Sequence, residues 1–268
     1  MKIMIQNADR NMSARDYARL DGGLAVTSAF RTLQGEGRFS GWPAVFLRLA
    51  GCNYGSKTDY CQFCDTSFQF AGSTAYTIDE LVQILTAMPG YTPNDILVIT
   101  GGEPTLQYNV LSLISRVKAN ALFAEVQIET NGSQPKFFEE AEMRGLTPKN
   151  FVTVVSPKAN ERTKKYPPLH PTVQWWASDF KYVLSSDPES MHHTLPELAL
   201  HLAAVGRPVY VSPMAVYKRA YEGEVSSIWD DTLIDREATA ANYAYAARYA
   251  IDRSLRLSVQ THLFTAIP

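Results

Sequence analysis

The strongest constraint on this chain is the order of its apolar runs. Short β-rich stretches recur at AVFLRL (44–49), DILVIT (95–100), AEVQIET (124–130), FVTVV (151–155), DFKYVL (179–184) and PVYVS (208–212). The intervals between them have room for helices. TIDELVQILTAM opens with a capping-box pattern at Thr77 and Glu80, and LQYNVLSLISRVKAN, PKFFEEAEMRG and MHHTLPELALHLAAV read as crossover helices. Strand alternating with helix predicts α/β architecture with a parallel sheet, here a modified, incomplete (β/α) barrel of about six strands with insertions. EATAANYAYAARYAID reads as a last helix, followed by a strand LRLSVQ and the tail THLFTAIP.

In parallel α/β folds, chemistry collects at the carboxyl ends of the strands. AVFLRL runs into AGC, DILVIT into GGEP, AEVQIET into NGS, FVTVV into SPK and PVYVS into PM. Any one of these is an ordinary turn, but five on one edge favour a shared site. Segments 160–175 and 215–233 interrupt the alternation with Pro, charge and aromatics and read as insertions. Residues 1–22 read as a polar N-terminal extension, and the whole of 1–268 as one elaborated domain.

All three cysteines, Cys52, Cys61 and Cys64, lie in GCNYGSKTDYCQFCDTSF (51–68). With a net charge of −2 there is no whole-molecule basic field to attract nucleic acid, and no window reaches membrane-spanning length. The start, MKIMIQNADRNMSARD, carries no apolar signal run, so a cytoplasmic setting with reduced thiols is expected. Four chemistries fit three such thiols. A zinc site needs a fourth ligand, and the five histidines, at 170, 192, 193, 201 and 262, are remote in sequence. A CxxC redox pair leaves Cys52 unexplained. Three unrelated core cysteines sit poorly in a stretch rich in Asn, Gly, Lys and Asp. The fourth is an iron–sulfur cluster on three thiolates, with one iron open to a ligand.

Cys52, Cys61 and Cys64, with Phe63 inside the last pair and GGEP at 101–104, resemble the radical S-adenosylmethionine (SAM) superfamily. The spacing is Cys-x8-Cys-x2-Cys, where that superfamily commonly has Cys-x3-Cys-x2-Cys. Enlarging the loop from about four residues to nine costs only ~0.7 kcal/mol in closure entropy. Further along, FRTLQGEGRFSGWPAVFLRLAGCN, CDTSF, TGGEPTLQ, ETNGS, SPK and SVQTHLFTAIP, in that order, are similar to the 7-carboxy-7-deazaguanine synthase family within that superfamily. A glycyl-radical activase, which shares a compact radical SAM core, leaves QGEG, Arg48 and the SVQTH tail unexplained. A non-enzymatic zinc-binding module is the alternative of another class.

The resemblance implies a lyase that contracts the ring of 6-carboxy-5,6,7,8-tetrahydropterin with loss of ammonia, on the route to queuosine-type 7-deazapurines. It implies a 4Fe-4S cluster on Cys52, Cys61 and Cys64, SAM, and Mg2+ at Thr66. Leu33, Gln34, Gly35, Glu36, Arg48, Thr100, His262 and Pro268 are the implied substrate contacts, Arg48 for the carboxylate and Pro268 through its terminal carboxylate. Phe63, Cys64, Asp65, Gly101, Gly102, Glu103, Ser156, Pro157, Lys158, Ser212, Pro213, Met214 and Ala215 are the implied SAM contacts. The family usually has Gln-Pro-Met-Asp where this chain has Ser212-Pro213-Met214-Ala215. Implied partners are an external electron donor such as flavodoxin and a second copy of the chain, with no direct nucleic-acid contact.

Overall fold

A computed structural model describes residues 22–54, 73–218, 227–230 and 232–267. All six expected strands form: β2 (Pro43–Leu49), β4 (Ile96–Gly101), β5 (Glu125–Thr130), β6 (Val152–Val155), β7 (Asp179–Leu184) and β8 (Val209–Pro213). They pair in parallel in that order, with the two-residue β9 (Arg256–Leu257) parallel to β8. Two further strands were not among the expected runs. β1 (Gly23–Leu33) pairs antiparallel with both β2 and the edge strand β3 (Thr74–Thr77). A bulge between Val26 and Ser28 shifts the register of β1 and flips its alternation half-way, so no single period-2 window marks it. β1 begins at Gly23, and residues 1–21, nearly all of the expected extension, lie outside the described residues.

The helices are α1 (Ile78–Thr86), α2 (Val110–Ala119), α3 (Pro135–Met143), α4 (Pro171–Trp176), α5 (Glu197–Ala204), α6 (Arg236–Asp252) and α7 (Thr261–Thr265). α1 carries the full capping box, Thr77 accepting from the Glu80 amide and Glu80 reaching back to the Thr77 amide. α4 lies partly inside the expected insertion 160–175, where it carries the chain from β6 to β7. α5 is shorter than MHHTLPELALHLAAV suggested, because Pro196 stands at its N-cap. The preceding residues form a loop instead, with the His192 carbonyl accepting from the Ser185 amide and the Tyr249 hydroxyl taking the Leu195 amide. LRLSVQ pairs over only two residues before the chain turns into α7.

One apolar core joins one face of the sheet (Val45, Leu47, Leu49, Leu97, Ile99, Val126, Ile128, Val155, Phe180, Tyr182, Val209, Val211) to helix residues from α1 to α6. Within it Phe151 stacks on Trp176, Phe138 tilts against Trp176 and Phe137 meets Phe138 edge-on, each burial contributing roughly 1.5–3 kcal/mol. All six of those helices thus cover the same face. A doubly wound sheet has helices on both, so this open, one-sided sheet is an incomplete barrel.

The face that α1–α6 leave uncovered, the helix-free face, carries a 3-10 turn at Gly37–Phe39 from the β1–β2 connection and is divided. Its lower part is apolar, with Phe39 packed on Ala44, Ile96 and Val98. The β1–β2 connection supplies that plug and crosses the face: Arg38 makes a two-pronged ion pair with buried Asp179 of β7 (2.9 Å for each bond), and the Gly37 amide donates to Ser258 Oγ beyond β9 (3.0 Å). Above the plug the face turns polar.

Candidate active site

Strand alternation puts Arg48, Thr100, Gln127, Glu129, Lys181 and Ser212 on the helix-free face, with Arg48, Thr100, Glu129 and Ser212 toward the carboxyl ends of β2, β4, β5 and β8 and Gln127 and Lys181 midway along β5 and β7. Arg48 pairs in register with Thr100. Its guanidinium lies over the Phe30 ring at 5.1 Å, and among the described residues no carboxylate forms an ion pair with it. Glu129 gathers three donors: Gln34 Nε2 at 3.1 Å, Gln127 Nε2 at 3.0 Å and Thr100 Oγ1 at 3.4 Å. Gln127 Oε1 is a buried acceptor with no hydrogen-bond partner among the described residues, so this lining has capacity for a polar guest.

The QGEG segment closes the other side. Gln34 is buried; its Oε1 accepts from the Glu36 amide at 3.2 Å, just past the end of β1 at Leu33. The Gly35 carbonyl accepts from the Thr261 amide (2.9 Å) and hydroxyl (3.2 Å), seating α7 on it. Gly35 faces the His262 ring so closely that a Cβ there would stand 2.6 Å from Nδ1. Glu36 is ion-paired with Lys181 of β7 and takes a long hydrogen bond from Ser212 of β8 (3.5 Å). Burial alone would push the Glu36 carboxyl up. The charges of Lys181 and His262, with hydrogen bonds from Lys181 and Gln260, outweigh it and hold the group down at about 2.

The loops carrying Cys52 and the glycines are knitted together. Gly102 and Glu103 donate their amides to Leu49 and Gly51, extending the β2–β4 pairing to the residue before Cys52. Gly101 has φ +123°, and a Cβ there would overlap the Leu49 backbone, so this glycine serves the approach of the two strands. Glu103 has no exposed surface. Its Oε1 accepts from the Thr105 amide (3.1 Å), the Thr105 hydroxyl and the Thr130 hydroxyl (2.7 Å), and its Oε2 from the Asn131 amide (2.7 Å). Its side chain is therefore committed to joining GGEP to the end of β5. Asn131 in turn donates to Asn53 (3.0 Å), and Asn53 to Ser133 (2.8 Å), tying NGS to the loop that holds exposed Cys52.

Further round the edge, the Ser156 amide donates to the Thr130 carbonyl (2.7 Å), and Lys158, past Pro157, donates to Ser156 Oγ (3.0 Å). Pro213 ends β8, and the Met214 amide bonds the Leu184 carbonyl (2.8 Å). Ala215, standing where the family usually has Asp, packs against the apolar group Leu233, Ile234 and Leu263. A cavity of about 380 Å³ opens beside Met214, lined by Glu161, Lys164, Asp187, Ser190, Met191 and His192. Burial, with Lys158 and Lys164 nearby, depresses His192 to about 4 and leaves it neutral.

Cys61, Phe63, Cys64, Asp65, Thr66 and Pro268 lie outside the described residues. The rest of the donor set suits an iron–sulfur and SAM site: an exposed thiol on an anchored loop at the strand ends, flanked by a glycine hairpin and a polar lining. Sequence reasoning overlooked Glu129, Lys181 and Gln260. The first two were detectable as polar residues at alternate positions of otherwise apolar strands; Gln260 carries no such signal.

Residues 47–155 match the model of the radical SAM superfamily. Over most of its length the chain is similar to proteins named 7-carboxy-7-deazaguanine synthase. The one from Rhodospirillum rubrum is 34% identical, with 89% of this chain and 90% of that protein covered. The one from Hyperthermus butylicus is 30% identical (99% and 100% covered), and the one from Rickettsia prowazekii 29% (99% and 96%). Among solved structures, that of QueE from Escherichia coli superposes with a TM-score of 0.57 at 22% identity, covering 94% of this chain and 99% of that one, a likeness of fold.

Proposed function

The chain belongs to the 7-carboxy-7-deazaguanine synthase family, and from that premise we propose that it contracts the ring of 6-carboxy-5,6,7,8-tetrahydropterin, with loss of ammonia, to a 7-deazapurine for queuosine-type biosynthesis. It is an enzyme, a radical SAM lyase, whose cofactors are a 4Fe-4S cluster and SAM. Cys52, Cys61 and Cys64 would hold the cluster, which together with SAM supplies a 5′-deoxyadenosyl radical.

The observation that carries the substrate reading is the polarity of the helix-free face. Arg48, without a carboxylate partner among the described residues, offers a planar fork of donors suited to the substrate carboxylate. On the same face are acceptors: Glu129 and the ionised Glu36, suited to the N–H-rich guanidine-like edge of a pterin. Thr100 lies between the two ends, bonded to Glu129. The Phe39 plug closes the lower part of the face against water. Along the rim, Ser156, Lys158 and the backbone of 212–214 are proposed to contact SAM, Thr66 to hold Mg2+, and Pro268 and His262 to complete the pterin pocket. A single-electron donor such as flavodoxin is the proposed partner, and a homodimer the proposed assembly. Among the described residues no helix is long and apolar enough to cross a membrane, and a cytoplasmic location is proposed.

Anaerobic reconstitution with iron, sulfide, SAM, reductant and the carboxytetrahydropterin tests the reading. Deoxyadenosine and the deazapurine are expected together; deoxyadenosine without deazapurine would remove the substrate assignment. Arg48→Met should keep its iron content and lose roughly ten- to several hundredfold in kcat/KM, the worth of charge-assisted hydrogen bonds.

A further inference from the structure

Lys181 and Glu36 form an ion pair across the helix-free face between residues 145 apart in sequence, with side chains only 13% and 15% exposed. Water screens such a pair weakly, so it governs the state of its members far more than a surface pair would. Glu36 also meets Ser212, Gln260 and His262, but Lys181 is the strongest influence among those favouring its charge. A buried carboxyl without a cation beside it tends to bind a proton. One of its oxygens then becomes a donor and the hydrogen-bond polarity of the pocket changes.

We propose that Lys181 is a positioning and specificity-determining residue: by pairing with Glu36 it holds that carboxylate as a pure acceptor, and so makes the pocket select a ring edge bearing a 2-amino group over one bearing a 2-oxo group. This rests on the pterin reading above. A 2-amino edge presents N–H groups to Glu36 and is complementary to an acceptor. A 2-oxo edge, as in the corresponding lumazine, presents a lone pair to a carboxylate and is repelled. Sites that hydrogen-bond a substrate group discriminate strongly against analogues that mismatch it, because the buried partner is left unpaired.

The test compares kcat/KM for 6-carboxytetrahydropterin and its 2-oxo analogue, followed by substrate-dependent deoxyadenosine formation, in full-length reconstituted wild type, Lys181→Met, Lys181→Arg, Glu36→Gln and the Lys181→Met/Glu36→Gln double variant. Iron content is the folding control. Wild type is expected to prefer the 2-amino substrate by at least about a hundredfold. Lys181→Met should shrink that ratio tenfold or more, Lys181→Arg should preserve it, and the double variant should be no worse than Glu36→Gln alone. Equal losses on both substrates in Lys181→Met, or strictly additive effects in the double variant, would reduce Lys181 to a structural tie and overturn the proposal. If Lys181→Met fails to load iron, loss of the ratio in iron-replete Lys181→Arg, or its retention in Glu36→Gln, overturns it equally. A wild type inactive on both substrates would instead sink the pterin reading itself, a visibly different result.

Discussion

Glu103 and Glu36 are both buried glutamates in glycine-rich motifs, and their surroundings give them opposite roles. Glu103 faces only neutral donors. Burial pushes its carboxyl up and the four hydrogen bonds oppose that only in part. Its work is geometric, holding the end of β5 to the GGEP turn. Glu103→Gln keeps the shape but turns an NH2 toward either the Asn131 amide or the Thr105 amide, so a loss of about 1–3 kcal/mol in urea-monitored stability is expected. A change below about 0.5 kcal/mol would show that the bonds are dispensable. The motif GGEP was legible in the sequence, but whether its acid met a cofactor or the chain's own amides depended on β5 lying beside it. Glu129 was legible only in principle, as a charge at an inward position of a buried strand.

At the level of elements, the β1–β2 connection does most to shape the site. Phe39 plugs the lower face, Arg38 grips Asp179, and Gly35 is the seat for α7. The fit between Gly35 and His262 leaves no room for a methyl group. Gly35→Ala should therefore cost about 1–3 kcal/mol by overpacking and displace the His262 ring. Its KM for the pterin should rise with iron content unchanged, and adding His262→Ala should restore stability while leaving KM high. Stability loss that persists in the double variant would place the strain elsewhere. QGEG was recognisable as a motif, yet the strand before it was not, because the bulge at Val26–Ser28 breaks the pattern by which half-buried strands are read. α5 was overextended for a comparable local reason, the proline at its N-cap.

Across the whole molecule, Glu36 joins the start of the sheet to β7, β8 and the C-terminal segment. Its carboxyl lies at about 2 in the folded chain against an ordinary value of 4.5. A depressed carboxyl contributes stability that is fully present above pH 4.5 and is lost as pH falls through about 2. The difference corresponds to something on the order of 3 kcal/mol. Urea denaturation of cluster-free protein should show wild type losing more stability than Glu36→Gln between pH 5 and pH 2. Parallel curves for the two proteins would mean that Glu36 is not held ionised by its partners.

By itself the sequence determined the strand–helix alternation, the edge on which polar loops collect, the three-cysteine cluster and the order of motifs shared with radical SAM proteins. These are local or sequential properties: periodicity, turn chemistry and spacing survive in one dimension. Only the tertiary structure decided that the helices cover one face, that Glu103 is a tie, that Ala215 packs into an apolar group, and that Lys181 meets Glu36 across 145 residues. Those outcomes depend on which strands become neighbours and in what register, and burial then fixes the electrostatic state of each side chain. Neither is encoded in any short window of the chain.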